Sequence, residues 1–445
     1  MHEVSRRGFI AAGATMAAGV TTFPNVLRGQ DDRVVRMGLI GIGDRGTGTI
    51  SLMLRRSDVQ VRAICDIDPE AIARGRKRLD DAGVRGYGVY DRGEEDFRRM
   101  MDRDDLDAVL IATPWEWHTP MAIAAMRAGK WAAVEVPAAV TLEECRELVA
   151  TSEETGVPCM MMENVCYRRD VMAVLNLVRE GLFGELIHAQ CGYQHDLRYG
   201  FKFRPGVEFG ATARGPARWR TQHSVTRNGD VYPTHGIGPV ANFLDINRGN
   251  RFATLTATAT KTRGLHHHIV KHGGPDHPNA QVEFKLGDIV TTVLTCSRGE
   301  TVVIMHDTNL PRPYSLNFRV QGTNGIWMDD LHSIYLEGRS PEAHSWEPFR
   351  SYQDEFDHVL WRRFGPDASG AGHGGMDFFV MNGFVESVKR QVPPPLDVYD
   401  AATWSAISAL SEQSIALGNH PVSFPDFTAG RWANRRPTFG LSDEF

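Results

Sequence analysis

Val34-Val35-Arg36-Met37-Gly38-Leu39-Ile40-Gly41-Ile42-Gly43-Asp44-Arg45-Gly46 decides the fold. An apolar, β-branched run breaks at a glycine turn that fits G-x-G-x-x-G. An amphipathic stretch follows, with Ile50, Leu52, Met53 and Leu54 set among Arg55, Arg56 and Asp58. A second apolar run, 59–65, ends at Asp66. Strand, tight turn, helix, strand and acid are the parts of a dinucleotide cradle. Gly41 permits the turn, Gly43 lets backbone approach a pyrophosphate, and Gly46 lets the helix pack on the strand. The helix start offers unpaired N–H groups to phosphate. Asp66, about 20 residues beyond the last glycine, stands where a carboxylate takes ribose hydroxyls. Ile67 and Asp68 follow it, not Arg or Lys. A 2′-phosphate would meet negative charge there, so NAD is expected rather than NADP.

Outward from this stretch, 445 residues are enough for two domains, each with a core. A net charge of -6 argues against nucleic acid as a partner. The six cysteines form no C-x-x-C, so neither a zinc site nor a disulfide framework is read from them. At the start, Ser5-Arg6-Arg7-Gly8-Phe9-Ile10 is a twin-arginine pattern followed by a weakly apolar run, 10–20, too short to cross a bilayer. It reads as a Tat export signal over residues 1–30, without an obvious A-x-A cleavage site, and implies a periplasmic or extracellular protein. That route carries folded proteins, so a bound nucleotide would travel inside. No other stretch is apolar enough to span a membrane.

Helical and strand patterns alternate after Asp66. Residues 66–82 read as a helix started by Pro69, 107–113 as a buried strand, 121–129 as a helix and 131–136 as a strand. Residues 141–155 are again a helix and 157–162 a strand. This is the mark of a parallel sheet, and it gives a Rossmann domain at 31–163. Pro114-Trp115-Glu116-Trp117-His118-Thr119-Pro120 lies at a strand's carboxyl end, the edge that faces ligand in such sheets. The pattern changes near Asn164. A helix at 169–180 precedes period-2 runs at 186–195, 252–262, 281–295, 301–307 and 316–322, then closing helices at 376–388 and 401–417. Alternation with one apolar face predicts a largely antiparallel, open-faced sheet. The fold class is therefore α/β: a Rossmann domain, an α+β substrate-binding domain at 164–420, and a tail at 421–445. The open face and edge strands leave room for a homo-oligomer.

Gly41-x-Gly43-x-x-Gly46, Asp66, His118-x-Pro120 and Glu135-x-Pro137 occur in the order found in the Gfo/Idh/MocA oxidoreductases, which the chain resembles over residues 33–420. Within that group six motifs resemble glycoside hydrolase family 109, whose best-known activity is α-N-acetylgalactosaminidase. They are Trp115-Glu116-Trp117-His118, Glu135-Val136-Pro137, Glu163-Asn164, Gly192-Tyr193-Gln194-His195-Asp196, Tyr232-Pro233-Thr234-His235-Gly236 and His373-Gly374-Gly375-Met376-Asp377. One departure from the wider group matters. Its oxidoreductases carry Glu-Lys-Pro, the lysine acting on the substrate hydroxyl; here the middle residue is Val136, which transfers no proton. Lys130 is six positions upstream, about 20 Å away at ~3.3 Å per residue, and is no substitute. The family 109 resemblance accommodates the loss. It implies oxidation at sugar C3 by NAD, proton loss from C2, departure of the glycosidic oxygen from C1, water addition and re-reduction, an exception to paired-carboxylate hydrolysis.

The resemblance also implies that Asp44, Arg45, Asp66, Trp115, Glu116, Trp117, His118, Glu135, Val136 and Asn164 join the glycine turn in contacting NAD. It places Tyr193, Arg220, Tyr232 and Tyr314 at the sugar. His235 and Tyr232, three apart, would share a helical face. His235 is the choice for the C3 hydroxyl proton. Tyr232 would take the C2 proton if a cation such as Arg220 lowered its pKa. The bland alternatives are a hydrogen-bonded structural histidine, a packed tyrosine, and core tryptophans at 115 and 117. His266-His267-His268, His272 and His277 invite a metal reading. Adjacent histidines in a strand face opposite ways, and Gly273-Gly274-Pro275 marks a loop, so the segment reads as a solvated or substrate-rim loop without metal. Two rival functions stay open: a sugar dehydrogenase that accumulates reduced cofactor, and a non-catalytic dinucleotide- or sugar-binding module.

Overall fold

The computed structural model describes residues 33–445; the Tat export signal read at 1–30 lies outside the described residues. β1 (Val35–Ile40), β2 (Val59–Cys65), β3 (Gly88–Tyr90), β4 (Ala108–Ile111), β5 (Trp131–Val134) and β6 (Cys159–Met161) form one parallel sheet, ordered β3-β2-β1-β4-β5-β6. The order runs outward from β1 in both directions. The carboxyl ends of β1 and β4 therefore flank the crevice where such sheets bind ligands. β1, β4, β5 and β6 are buried almost throughout, as strands covered by helices on both faces must be. Thr141 starts the helix Leu142–Thr155 with a reciprocal capping box to Glu144.

The second sheet has nine strands. They are β7 (Leu186–Gln194), β8 (Phe252–Ala259), β9 (Ile289–Cys296), β10 (Thr301–Asp307), β11 (Arg319–Gly322), β12 (Gly325–Met328), β13 (Ser333–Leu336), β14 (Glu347–Pro348) and β15 (Val422–Ser423). Their order is β14-β13-β12-β11-β7-β10-β9-β8-β15, and only β7–β10 is parallel. Alternation along β9 and β10 buries Val290, Leu294, Val302 and Ile304 on one face and leaves the other half exposed. The buried face carries helices Thr234–Phe243 and Val398–Ala416. Helix Met376–Arg390 reaches back to the Rossmann helix Asp44–Leu54 and its end, where Arg56 holds Asn382 Oδ1 at 2.6 Å and Glu386 Oε1 at 2.7 Å. One hydrophobic core runs through both sheets. All six cysteines are buried. No helix among the described residues is long and apolar enough to cross a membrane.

Among the elements that differ from the sequence reading, three bear on the site and its surroundings. The run 281–295 is a strand only from Ile289. Pro278–Gln281 is a 3-10 turn, and Ala280 and Phe284 enter a separate small core with Phe203, Val207, Leu265 and Ile269. The histidine-rich segment is a helix, Gly264–Gly273, so His268 and His272 lie one turn apart on one face. The segment 421–445 is no loose tail. β15 pairs with β8, and Arg179 donates to the carbonyls of Phe439, at 2.6 Å, and Gly440, with Phe439 buried.

Candidate active site

The glycine turn is shaped for a dinucleotide. Gly41 has φ of 87°, and a Cβ there would lie 2.5 Å from Ala112 O. A Cβ on Gly46 would collide with Gly41 O, so helix Asp44–Leu54 can pack this closely only with glycine. Gly43 is different: a Cβ there meets nothing within 4 Å, and the helix it starts has no side-chain cap. Open space over uncapped N–H groups is a cradle for a pyrophosphate. Asp66, at the end of β2, accepts from Ile42 N at 2.5 Å and Asp68 N at 2.8 Å, which fixes its carboxylate beside that space. The residues present fit NAD. A loop of the second domain closes over the turn through Arg204 to Asp44 at 2.8 Å and Arg218 to Asp68 at 3.5 Å.

Beside the turn, Arg45 bridges the two domains. Its guanidinium holds Glu135 Oε1 at 2.5 Å and Asp377 Oδ2 at 2.7 Å, while Asp377 Oδ1 accepts from Asn164 at 2.7 Å. Burial by itself would raise the Asp377 carboxyl; the His373 hydrogen bond and Arg45 outweigh it and hold it well below the usual range. Arg45 is pushed up by Glu135 and Asp377 against the opposing effect of burial.

His235 opens helix Thr234–Phe243, which lies against β7 because Gly236 has no side chain: a Cβ there would fall 2.7 Å from Gly192 N. Glu163 follows β6, and its side chain is 0% exposed. Its Oε1 lies 2.7 Å from His235 Nδ1 and accepts the Val165 N–H at 3.1 Å. A carboxylate on Nδ1 assigns the proton to that nitrogen and leaves Nε2 as an acceptor toward the cleft. Around His235 stands a ring of aromatics. Tyr232 stacks on Trp115 with centroids 5.3 Å apart, and Tyr193 lies 4.8 Å from Tyr232 and 5.3 Å from His235. The Tyr193 hydroxyl is 3.2 Å from His195 Nδ1, and Tyr314 stands edge-on to His195 at 5.0 Å. Arg220 Cζ sits 4.6 Å from the Tyr232 ring centroid and 5.0 Å from that of Trp115. Its buried Nη2 has no partner, so it is a donor held for an incoming acceptor.

Burial pushes the phenols of Tyr193 and Tyr232 up, and it pulls His195 down, which leaves that imidazole neutral at neutral pH. Behind the ring, buried Lys202 Nζ binds Thr308 Oγ1 at 2.9 Å, Ser224 Oγ at 3.1 Å and Asn309 Oδ1. Burial, with the charge of Arg220, pulls this lysine down to about 7.

Comparison with known proteins bears on this geometry. The family described as "Oxidoreductase family, NAD-binding Rossmann fold" matches residues 35–163, and "Glycosyl hydrolase 109, C-terminal domain" matches residues 167–434. The chain belongs to glycoside hydrolase family 109. A Stenotrophomonas maltophilia protein named "Glycosyl hydrolase family 109 protein" is 52% identical, with 100% of each chain covered. A Tannerella forsythia protein named "Alpha-N-acetylgalactosaminidase" is 52% identical, covering 93% of this chain and 90% of that one. Among solved structures, a levoglucosan dehydrogenase in complex with NADH shares the fold with a TM-score of 0.65 at 19% identity, covering 88% of this chain and 100% of that one. Family membership makes the protein an NAD-dependent glycosidase, with NAD in the Rossmann domain.

In this family 109 chain the expected sugar residues Tyr193, Arg220, Tyr232 and Tyr314 do gather around His235. Trp115, expected at the cofactor, stacks into the same ring. Asp44, Arg45, Asp66, Glu135 and Asn164 gather at the glycine turn. His118 and Tyr232 depart from expectation, and Val136, Glu116 and Trp117 are placed as follows. His118 is buried with both ring nitrogens on carbonyls, Pro137 O at 2.7 Å and Thr113 O at 2.9 Å; it ties the ends of β4 and β5 together and offers a ligand nothing. The Val136 side chain is in the core. Glu116 turns to His223 Nε2 at 3.2 Å, and Trp117 packs on Phe97 at 6.2 Å. The Tyr232 phenol has its cation, but burial outweighs Arg220, so its pKa is raised, not lowered. The sequence reading gave no role to Glu163, His195 or Asp377. The first could have been found, since it follows a parallel strand at the ligand-facing edge.

Proposed function

We propose that this protein is an exported hydrolase of α-N-acetylgalactosaminides or a closely related amino sugar, working by transient oxidation at C3. One observation carries the reading. His235 faces the cleft with Nδ1 on the wholly buried Glu163, while the position that would hold a proton-transferring lysine is the buried Val136. Lys130 is no replacement, being tied to Ala128 O at 3.2 Å at the start of β5. The 52% identity to a protein named for α-N-acetylgalactosaminidase supports the sugar. The twin-arginine pattern supports export.

Bound NAD supplies a reversible hydride acceptor at C3, so no net redox change is needed. His235 Nε2 takes the C3 hydroxyl proton and later returns it, and Glu163 stabilises the imidazolium in between. A ketone at C3 acidifies the C2 proton. The buried phenols stay protonated and donate to substrate oxygens, so the neutral His195 imidazole is the better base for C2. The C2 electron pair becomes the C1–C2 double bond as the C1–O bond breaks, and the leaving oxygen takes the proton that His195 received from C2. Water adds at C1, its proton passes through His195 to C2, and the C3 ketone is reduced back to the hydroxyl, with His235 returning its proton. Arg220 Nη2 grips a substrate oxygen. The half-exposed sheet face is where a second copy would pack.

The test is hydrolysis of 4-nitrophenyl N-acetylgalactosaminides of both anomers by the purified protein. Release from the α anomer without accumulation of reduced cofactor is expected. Reduced cofactor rising in step with substrate loss favours the dehydrogenase, and tight cofactor with no turnover of any glycoside favours the binding module.

A further inference from the structure

The histidine-rich helix Gly264–Gly273 forms one wall of a pocket of about 490 Å³ next to the active site. Tyr199, Arg263, His268, Lys271, His272 and Leu310 line it, and no aspartate or glutamate does, in a chain of net charge -6. Nearby acids are already engaged. Asp196 holds Arg198 at 2.7 Å, and Asp288 accepts the N–H groups of Arg263 at 2.7 Å and Gly264 at 3.0 Å. Arg263 makes only a backbone contact, with Thr262 O at 2.8 Å, and Lys271 is exposed with no ion pair among the described residues. The pocket is therefore a site of uncompensated positive charge.

Its polar groups are prepared for a ligand. His268 is 2% exposed, and its Nδ1 has no partner. The ring is held in place against Phe203 at 5.2 Å, Tyr199 at 4.8 Å and His272 at 4.5 Å. The Tyr199 hydroxyl lies 3.3 Å from His272 Nε2. An unpaired buried donor or acceptor is costly unless something completes it.

The same loop serves both sites. His195 and Phe201 border the active site, with Phe201 5.8 Å from Arg220 Cζ, while Tyr199 between them faces the pocket. Leu310 lies four residues before Tyr314, which stands edge-on to His195. Tyr199, Phe201 and Tyr314 are exposed by 58%, 39% and 51%. Phe201 and Tyr314 flank His195 at 5.9 and 5.0 Å, and Tyr199 packs on His268 at 4.8 Å, so exposed rings of the kind on which sugar C–H faces stack stand at both sites.

We propose that this pocket is a leaving-group subsite that takes the next sugar of the glycan and selects sugars bearing an anion, as a sulfate ester or a carboxylate. Tyr199 offers the stacking face, His268 and His272 take hydroxyls, and Lys271 and Arg263 pair with the anion. The proposal rests on the glycosidase reading above and names its substrate class.

The test compares three substrates: a 4-nitrophenyl α-N-acetylgalactosaminide, the same sugar α-linked to galactose, and the same sugar linked to galactose 6-sulfate or galacturonate. The anionic disaccharides should show a kcat/KM about tenfold above the neutral one at low salt, the size of one or two charged contacts. Comparing the two anions separates sulfate from carboxylate. The double variant Arg263→Ala/Lys271→Ala should lose that preference, with the aryl and neutral substrates unchanged. In parallel, galactose 6-sulfate and galacturonate are titrated directly into the protein. Equal turnover of charged and neutral disaccharides, or a variant that slows all three alike, overturns the proposal. So does the absence of saturable binding of either charged sugar. Binding lost in the double variant without hydrolysis of any glycoside contradicts the glycosidase reading instead and supports anion recognition by the pocket.

Discussion

Glu163 and His235 come from opposite sides of the domain joint, 72 residues apart in sequence, and meet with Oε1 2.7 Å from Nδ1. The pair aims one imidazole nitrogen at the cleft and places the charge that would offset an imidazolium behind it. Glu163→Gln keeps a hydrogen-bonding group of the same shape but removes that charge. We expect kcat to fall about 10²–10⁴-fold, the usual contribution of a positioned acid–base group. KM and the thermal midpoint should change little. Steady-state kinetics with a melting curve checks this; a matching loss of folding would make the pair structural.

Asp66 holds the glycine turn through Ile42 N at 2.5 Å, and its position suits the ribose hydroxyls. Asp66→Ala should weaken NAD binding by roughly 1–3 kcal/mol, the range for a hydrogen bond to a charged group. Calorimetric titration of NAD, with assay of nucleotide released from denatured wild type, measures it. Recovery of NADP would contradict the assignment.

Lys202 gives a pH-dependent prediction. Its pKa is about 7 folded, pulled down by burial first and by Arg220 second, against about 10.4 for a free lysine. Between those values the unfolded chain holds a proton that the folded chain lacks, so wild-type stability rises with pH, by up to about 1.4 kcal/mol per unit. Below about 7 both states are charged and this dependence is gone. Lys202→Met removes the slope. Urea unfolding at pH 7 and pH 9 should show the variant losing ground relative to wild type as pH rises; a constant difference would mean that Lys202 stays charged.

What the sequence disclosed follows from how local each signal is. The glycine turn, the helix behind it and Asp66 form one contiguous pattern, and their geometry follows from backbone sterics. Tyr193, Arg220 and Tyr232 were placed together by motif, but the Glu163–His235 contact depends on how helix Thr234–Phe243 lies on β7 and is invisible locally. His118 could be seen at a ligand-facing edge; that its ring turns inward to two carbonyls could not. The direction of the Tyr232 shift depends on burial, which only the closed ring of Trp115, Tyr193 and Arg220 reveals. The helix Gly264–Gly273 is not legible locally because its glycine ends and adjacent histidines carry weak propensity, while its packing on Phe203 decides the outcome.

The proposed export rests on a pattern in residues 5–10. A double variant, Arg6→Lys with Arg7→Lys, should leave the protein in the cytoplasm, as read by fractionation and immunoblot. Undiminished export would reject the twin-arginine assignment.

The central claim is that the glycosidic bond breaks by elimination across C1 and C2 after oxidation at C3, with the C2 proton removed and replaced. Hydrolysis of an α-N-acetylgalactosaminide in D2O, followed by NMR of the released sugar, tests it most directly. Deuterium at C2 is expected in the wild-type product, and His195→Gln should slow its appearance more than it weakens substrate binding. Direct displacement at C1 breaks no bond at C2, so a product carrying only hydrogen at C2 would contradict the account.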